Sequence, residues 1–513
     1  MHRLFSTKNF VSFLLLTSLV FSLQGQTATT VCGILPSAND IITQRLEENK
    51  TTLDEFPIQF RSVDYIPIKF HLIADSDGNG RSSYDEILDQ VCNLNADFID
   101  LNMQFYIKDG FDLIDNSTIF TNHPAVSFAM TSRNDPEAIN VWVLDDATPS
   151  GVNGDGIIAG YYDPSNSKDW IIMRIDKTGD GQPFLSHEMG HFFSLLHPHR
   201  GWDAEAYDPD KHGVPAPARS PGGIATELQD GSNCATAGDR ICDTAPDYNN
   251  GLGWSTCDYT LDVLDPTGDK INPDERLHMG YFFSCLTDRY FSKKQKELMQ
   301  TDFMSNKRKH IRTGFTPDAI EVNSVEALLE PADGATTSGF NNVFLEWEPA
   351  TGANQYLIEI DRLPTFGSSY LQEFIATESS AEIENLEPGK RYFWRVRPFN
   401  EYATCAFPSS FSSFSTGTAT NTTDLVDITD FNLSPNPADR NQDLHIELET
   451  LRGFDAQIQL FNITGQLIQD KGIVRFNAGK NIYQLPLNDI LPGVYLFSMK
   501  SDLGKLTKRV VVH

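Results

Sequence analysis

Short apolar runs alternate with stretches of helical period over the first part of the chain. Ile66 to Ile73, Ile139 to Val143 and Trp170 to Ile175 read as buried strands, and Tyr84 to Leu101 carries the spacing of a helix. This alternation predicts an α/β or α+β domain over residues 61–315. The pattern breaks around Thr316 to Asn323, and short strands between Gly, Pro and Asn turns take over at Val343 to Trp347, Gln355 to Ile360 and Tyr392 to Val396. Residues 325–418 therefore read as an all-β sandwich. Ser415 to Thr423, all Ser, Thr, Gly, Ala and Asn, has little to bury and reads as a linker. Alternation resumes at Leu444 to Leu448, Ile458 to Phe461, Val494 to Met499 and Leu506 to Val512, a second small sandwich over 428–513.

The amino terminus changes the picture of compartment. His2, Arg3 and Lys8 precede an apolar run from Phe10 to Phe21, followed by the small and polar stretch Ser22 to Thr27. That is the layout of a secretory signal peptide, residues 1–26, with cleavage near Gln26. The run is shorter than the roughly 20 residues of a bilayer span, and no other segment is apolar enough, so no transmembrane segment is expected in the mature chain. In 513 residues, 40 Lys plus Arg face 70 Asp plus Glu, a formal charge of −30 that repels phosphate backbones and removes nucleic acid as a partner. Seven cysteines are too few for a disulfide-built scaffold, yet enough for one or two bridges and a working thiol.

The demanding chemistry is concentrated in one segment. His187-Glu188-Met189-Gly190-His191 lies within Pro183 to Leu196, whose apolar residues suit a buried helix. Four residues make about one helical turn, so His187 and His191 share a face and can present two imidazoles to one Zn²⁺. Glu188 is swung about 100° around the axis, where it can act as a general base on water. His197 follows six residues after His191, and three neutral nitrogens leave a fourth metal position open, as a catalytic site requires. The competing reading, a buried helix with satisfied core histidines, must place three histidines and a carboxylate in an apolar segment. The reaction this chemistry predicts is metal-assisted amide hydrolysis of protein or peptide substrates.

With these residues the segment resembles the metzincin metallopeptidases, and among them the pappalysin (cytophagalysin) family, which carries HExxHxxGxxH. Ser194 stands where the family has Gly, which puts the swing of His197 to the metal in question and leaves His199 as a substitute. Leu277 to Cys285 resembles the family's Met-turn, which implies Met279 beneath the metal and Tyr281 as a phenol stabilising developing negative charge. Val31-Cys32-Gly33 resembles the family's Cys-Gly motif, which implies a pro-segment over 27–60 whose Cys32 thiolate serves as a temporary zinc ligand; the alternative is an incidental thiol. Gly238 to Pro246 resembles a loop that holds structural calcium through residues such as Asp239 and Asp243, with Ala245 as an extra residue. The resemblance also suggests structural bridges among Cys234, Cys242, Cys257 and Cys285, paired as Cys242 with Cys285 and Cys234 with Cys257. Some members select basic residues with an acid between the turn's Tyr and Cys; Phe282, Phe283 and Ser284 occupy that interval here, so no such preference is expected.

A separate calcium candidate is Asp75, Asp77 and Asn79 with Gly80 and Glu86, which fits the EF-hand loop pattern, although a strand rather than a helix precedes it. A polar turn is the alternative. In the first sandwich, Trp347 and Leu386 to Tyr392 resemble a fibronectin type III domain with its tyrosine corner. In the second, Ser434 to Pro437, Phe461 to Gly465 and Leu491 to Tyr495 resemble the carboxy-terminal sorting domain of the type IX (Por) secretion system, which implies export by that machinery and release or surface attachment. The expectation is thus a multidomain protein, an α/β (α+β) metzincin-like catalytic domain followed by two all-β sandwich domains. Its expected activity is that of a secreted, latent zinc endopeptidase with Zn²⁺ and Ca²⁺ as cofactors. The rival is a surface adhesion or matrix protein with a non-catalytic metal site.

Overall fold

The computed structural model describes residues 30–56, 62–151, 157–165, 167–252, 254, 256–285, 287–315, 317, 321–384, 386–418, 428–440, 442–462, 466–488, 490–501 and 504–513. The signal-peptide reading, the pro-segment junction at 57–61, most of the linker and part of the Phe461 to Gly465 motif lie outside the described residues.

Seven strands form one mixed sheet: β1 (Thr30–Cys32), β2 (Asp64–Ala74), β3 (Met103–Ile107), β4 (Asp112–Asp115), β5 (Ile139–Leu144), β6 (Ile157–Asp163) and β7 (Trp170–Arg174). Their order is β1-β6-β7-β5-β2-β3, with β4 also paired to β2. Pairing is parallel except at β6 and β7. The near-continuous burial of β2, β5 and β7 is what a parallel sheet covered on both faces demands. Among the described residues four helices of eight or more residues accompany it: α1 (Pro36–Glu55), α2 (Tyr84–Asp97), α3 (Phe184–Phe192) and α4 (Lys293–Met304). Pro36 opens α1, where its missing N–H is no loss, and Ser83 with Glu86 closes a reciprocal capping box on α2. Every residue of α3 is buried, so this helix runs through the core rather than over it.

The segment read as a pro-segment is built into that core. Ile42, Leu46 and Leu53 of α1 pack with the sheet and α4. Arg45 donates to Tyr162 Oη (3.0 Å), to the Phe192 carbonyl (2.9 Å) and to Asp302 (2.5 Å), and Asn49 donates to Ser194 Oγ (2.8 Å) and Asp302 (2.9 Å).

The first sandwich comprises β8 to β15: Leu328–Glu330, Ala335–Thr336, Val343–Trp347, Gln355–Asp361, Gln372–Ala376, Ser380–Ile383, Arg391–Phe399 and Ser412–Ser415. They form sheets of order β13-β10-β8 and β12-β11-β14-β15-β9. Tyr392 Oη accepts from the Glu387 N–H at 2.9 Å, the corner bond that its sequence pattern suggested. This unit is no loosely tethered spacer. A disulfide joins Cys92 of α2 to Cys405, Arg397 pairs with Asp85 and Asp89 at 2.7 Å each, and the Glu373 carboxylate accepts from the Tyr84 and Asp85 N–H groups at the start of α2. The carboxylate satisfies orphan donors at the positive end of the helix dipole.

The second sandwich comprises β16 to β22: Ile428–Ser434, Asp443–Thr450, Phe454–Asn462, Leu467–Phe476, Gly479–Pro486, Gly493–Ser501 and Gly504–Val512. Its sheets run β16-β17-β20 and β19-β18-β21-β22 around a separate core. Among the described residues no helix is long and apolar enough to cross a membrane.

Candidate metal centre

His187 and His191 project from one face of α3 with ring centroids 4.9 Å apart. The helix stops at Phe192, and Ser194 takes φ +70°, the left-handed conformation expected of a Gly at this place. The cost to a non-Gly residue, about 1 to 2 kcal/mol, is offset in part by the bond from Asn49 to its hydroxyl. This reversal returns the chain so that His197 Nε2 lies 3.1 Å from His187 Nε2 and 3.0 Å from His191 Nε2. His197 therefore takes the third vertex. His199 instead stacks on its ring at 4.6 Å, facing Asp247 at 3.6 Å.

The opposite ring nitrogens explain what this arrangement can hold. His187 Nδ1 meets the His278 carbonyl at 2.7 Å, His191 Nδ1 the Leu195 carbonyl at 2.8 Å, and His197 Nδ1 the Asp203 carboxylate at 2.7 Å. Each Nδ1 must donate, which fixes the tautomer and leaves each neutral Nε2 with only a lone pair. Burial, followed for His187 and His191 by repulsion from neighbouring histidines, holds those two well below the ordinary imidazole value; burial draws His197 down to about 4. Three lone pairs in near contact repel one another unless a cation lies between them, and imidazole nitrogens suit a borderline cation such as Zn²⁺. Asp203, which the sequence reading missed, completes a carboxylate–histidine pair of the kind that orients a ligand and raises its basicity.

Glu188 is fully buried beside this cluster; Oε1 has no hydrogen-bond partner among the described residues and Oε2 receives the Cys32 thiol at 3.6 Å. Burial pushes its carboxyl up to about 8. Cys32 reaches the site on β1, which adds to the edge of the sheet beside β6, and its sulfur and the three histidine nitrogens lie within 4.8 Å of one another. Burial, then the Glu188 charge, holds the thiol well above its usual value. Met279 lies directly under α3: a Cβ on Gly190 would stand 2.3 Å from its sulfur, so the close approach needs glycine there. Tyr281 Oη donates to the Cys32 carbonyl at 3.4 Å, and its ring lies 4.8 Å from that of His197.

The structure corrects several outlying expectations. Asp75, Asp77 and Asn79 do not form a cage with Glu86. Asp75 Oδ1 accepts from the Asp77 and Asn79 N–H groups, closing a polar turn, while Glu86 turns back to the Ser83 N–H as the cap of α2. Asp243 is also diverted, accepting from Ser292 Oγ (2.7 Å) and the Lys294 N–H (2.8 Å) at the start of α4. Asp239 stays buried and, with Glu227 and Asp247, forms a cluster of acids; Asp239 Oδ2 and Glu227 Oε2 have no hydrogen-bond partner among the described residues. The disulfides are Cys234–Cys242 and Cys257–Cys285, not the crossed pairs suggested by resemblance. The loop between Cys234 and Cys242 turns tightly through Gly238 and Arg240, both at positive φ, and brings the two Cα atoms to 5.0 Å, within bridging range.

Residues 432–513 match the family of secretion system C-terminal sorting domains. No curated protein matches the sequence. Similar solved structures include the FN1-FN3 domains of chicken CNTN1, at 12% identity over 37% of this chain and TM-score 0.15. The chain spans 64% of that fragment's length. Others are FN3tt, at 18% identity, 19% of this chain, 97% of that one and TM-score 0.15, and the fn3 domain of the human collagen alpha-1(XX) chain, at 21% identity, 21% of this chain, 94% of that one and TM-score 0.15. The protein thus carries a type IX sorting domain at its carboxy-terminal end and is exported by the Por pathway, to the cell surface or beyond it.

Proposed function

We propose that this protein is a secreted zinc-dependent endopeptidase, made as a latent precursor and related to the pappalysin-type metzincins. The observation that carries the reading is the meeting of three lone-pair nitrogens beside a partner-poor carboxylate. His187, His191 and His197 would hold zinc, which when bound acidifies water and polarises a scissile carbonyl. Glu188 takes the proton and passes it to the leaving amine, and Tyr281, once freed from Cys32, hydrogen-bonds the oxyanion. Asp203 and the His278 and Leu195 carbonyls keep the imidazoles aimed. The test is casein cleavage by the full chain carrying Cys32→Ala, in which the core helix α1 stays in place. Turnover abolished by a chelator and restored by about one equivalent of Zn²⁺ is expected; cleavage indifferent to the chelator removes the reading.

A second reading assigns calcium to the acids Glu227, Asp239 and Asp247, supported by Asp239 Oδ2 and Glu227 Oε2, which have no hydrogen-bond partner among the described residues. Burial, then repulsion from Asp239 and Asp247, raises the Glu227 carboxyl, and burial raises that of Asp239. Groups with raised folded-state values bind protons more tightly folded than unfolded, so in metal-free protein the contribution of this pair to stability is greatest below about pH 4 and falls as pH rises above it, while the buried histidines contribute in the opposite sense up to about pH 6.5. A hard dication replaces those protons. Melting curves from about pH 7 to 9, above the range in which the histidines titrate, should show Tm falling with pH in chelator and rising by several degrees at each pH with millimolar Ca²⁺. A calcium-independent Tm would dismiss this site.

A further inference from the structure

The Met-bearing turn from Leu277 to Cys285 contains no helix or strand, and its carbonyls are only partly satisfied by their neighbours: Leu277 accepts from the Gly280 N–H, Phe282 from the Cys285 N–H and His278 from His187 Nδ1, each with a second lone pair to spare. Arg289 takes up those lone pairs and reaches two further carbonyls. Its Nη1 donates to the carbonyls of Phe282 (2.9 Å) and Cys285 (3.2 Å), and its Nη2 to those of Leu277 (2.8 Å), His278 (3.2 Å) and Gly280 (3.4 Å). The His278 carbonyl is the same acceptor that fixes His187 Nδ1 at 2.7 Å. The bonds to Gly280 and Phe282 bracket Tyr281, and those to Leu277, His278 and Gly280 bracket Met279, which presses on α3 at Gly190.

Resting on the protease reading above, the geometry points to Arg289 as a positioning residue: through five turn carbonyls it sets the aim of His187 and the placement of Tyr281. Neither the motif nor the spacing of the metal ligands includes it. A guanidinium is suited to the task because it presents its donors as a rigid planar fork, whereas a lysine ammonium has three donors on a flexible stem. The planar fork, and not only the positive charge, is what the turn requires.

The experiment uses the full chain in a Cys32→Ala background, so that the thiol does not mask the site. Arg289→Lys, Arg289→Gln and Arg289→Met are compared for zinc affinity by competition with a chromogenic chelator, for the visible spectrum of the Co²⁺-substituted protein, and for kcat and KM on a casein-derived peptide. Arg289→Lys should weaken zinc binding about tenfold or more, alter the cobalt bands and lower kcat with KM changed less than about twofold. Arg289→Gln and Arg289→Met should do so further. The graded series keeps the test decisive if the most severe change prevents folding. Wild-type zinc affinity, cobalt spectrum and kcat in folded variants, even with a lower Tm, would overturn the role of Arg289. Parent protein that neither binds zinc nor cleaves the peptide would instead defeat the protease reading itself.

Discussion

Glu188→Ala in the full chain carrying Cys32→Ala should lower kcat on casein-derived peptides about 10³-fold, within the range of general acid–base catalysis, while zinc content stays at the level of the Cys32→Ala parent. The prediction separates two roles that α3 could confuse. Glu188 follows His187 directly, yet it is not one of the converging nitrogen donors: its Oε1 has no hydrogen-bond partner among the described residues, and its carboxylate meets the Cys32 sulfur and the Tyr162 backbone. Its removal therefore leaves the three imidazoles and their Nδ1 acceptors intact. It also removes a buried carboxyl that desolvation has pushed up to about 8, so loss of activity through unfolding is not expected. Glu188→Gln offers the same volume without a proton acceptor and should fall as far as alanine. Residual kcat within tenfold of the parent in either variant, with zinc present, would dispose of Glu188 as the base.

The residues legible in the sequence are those whose position follows from local periodicity. One turn of helix places His187 and His191 together whatever the surroundings, and the β-strand alternation of the sandwiches depends only on neighbours two apart. His197 was legible by spacing, and its one doubtful feature, Ser194 in place of Gly, proves to be a serine held at φ +70° by a hydroxyl bond to Asn49. What escaped notice is non-local. Asp203 binds the third imidazole through a turn with no sequence signature, and Glu227 meets Asp239 across a loop. The Cys92–Cys405 bridge spans 313 residues and two structural units. The EF-hand pattern shows the reverse failure: the right oxygens at the right intervals, spent on an Asx turn and a helix cap. Spacing alone cannot tell a cation's oxygens from a backbone's acceptors, because both are satisfied by the same short carboxylates.

Cys32→Ala should give a full-length precursor that cleaves casein without any cut in its amino-terminal segment, at a rate at least about 10²-fold above the intact parent. The basis is competition for one coordination position. With its sulfur within 4.8 Å of all three histidine nitrogens, Cys32 stands where a fourth ligand would bind, and thiolate is a stronger donor to zinc than water. Without a cation the thiol is protonated, because burial and then Glu188 hold it well above its ordinary value. Zinc must therefore expel that proton. Titration of metal-free parent with Zn²⁺ in two buffers of different ionisation enthalpy should then show about one more proton released per zinc than in Cys32→Ala. The point substitution is a better probe than deletion of residues 27–60, because α1 contributes Ile42, Leu46 and Leu53 to the core and its Arg45 and Asn49 neutralise or satisfy Asp302. Deletion would uncover that carboxylate and confuse loss of latency with loss of fold. Equal rates for parent and variant, with equal proton release, would mean that Cys32 is an incidental thiol and that whatever restrains the site is the covering strand rather than its sulfur.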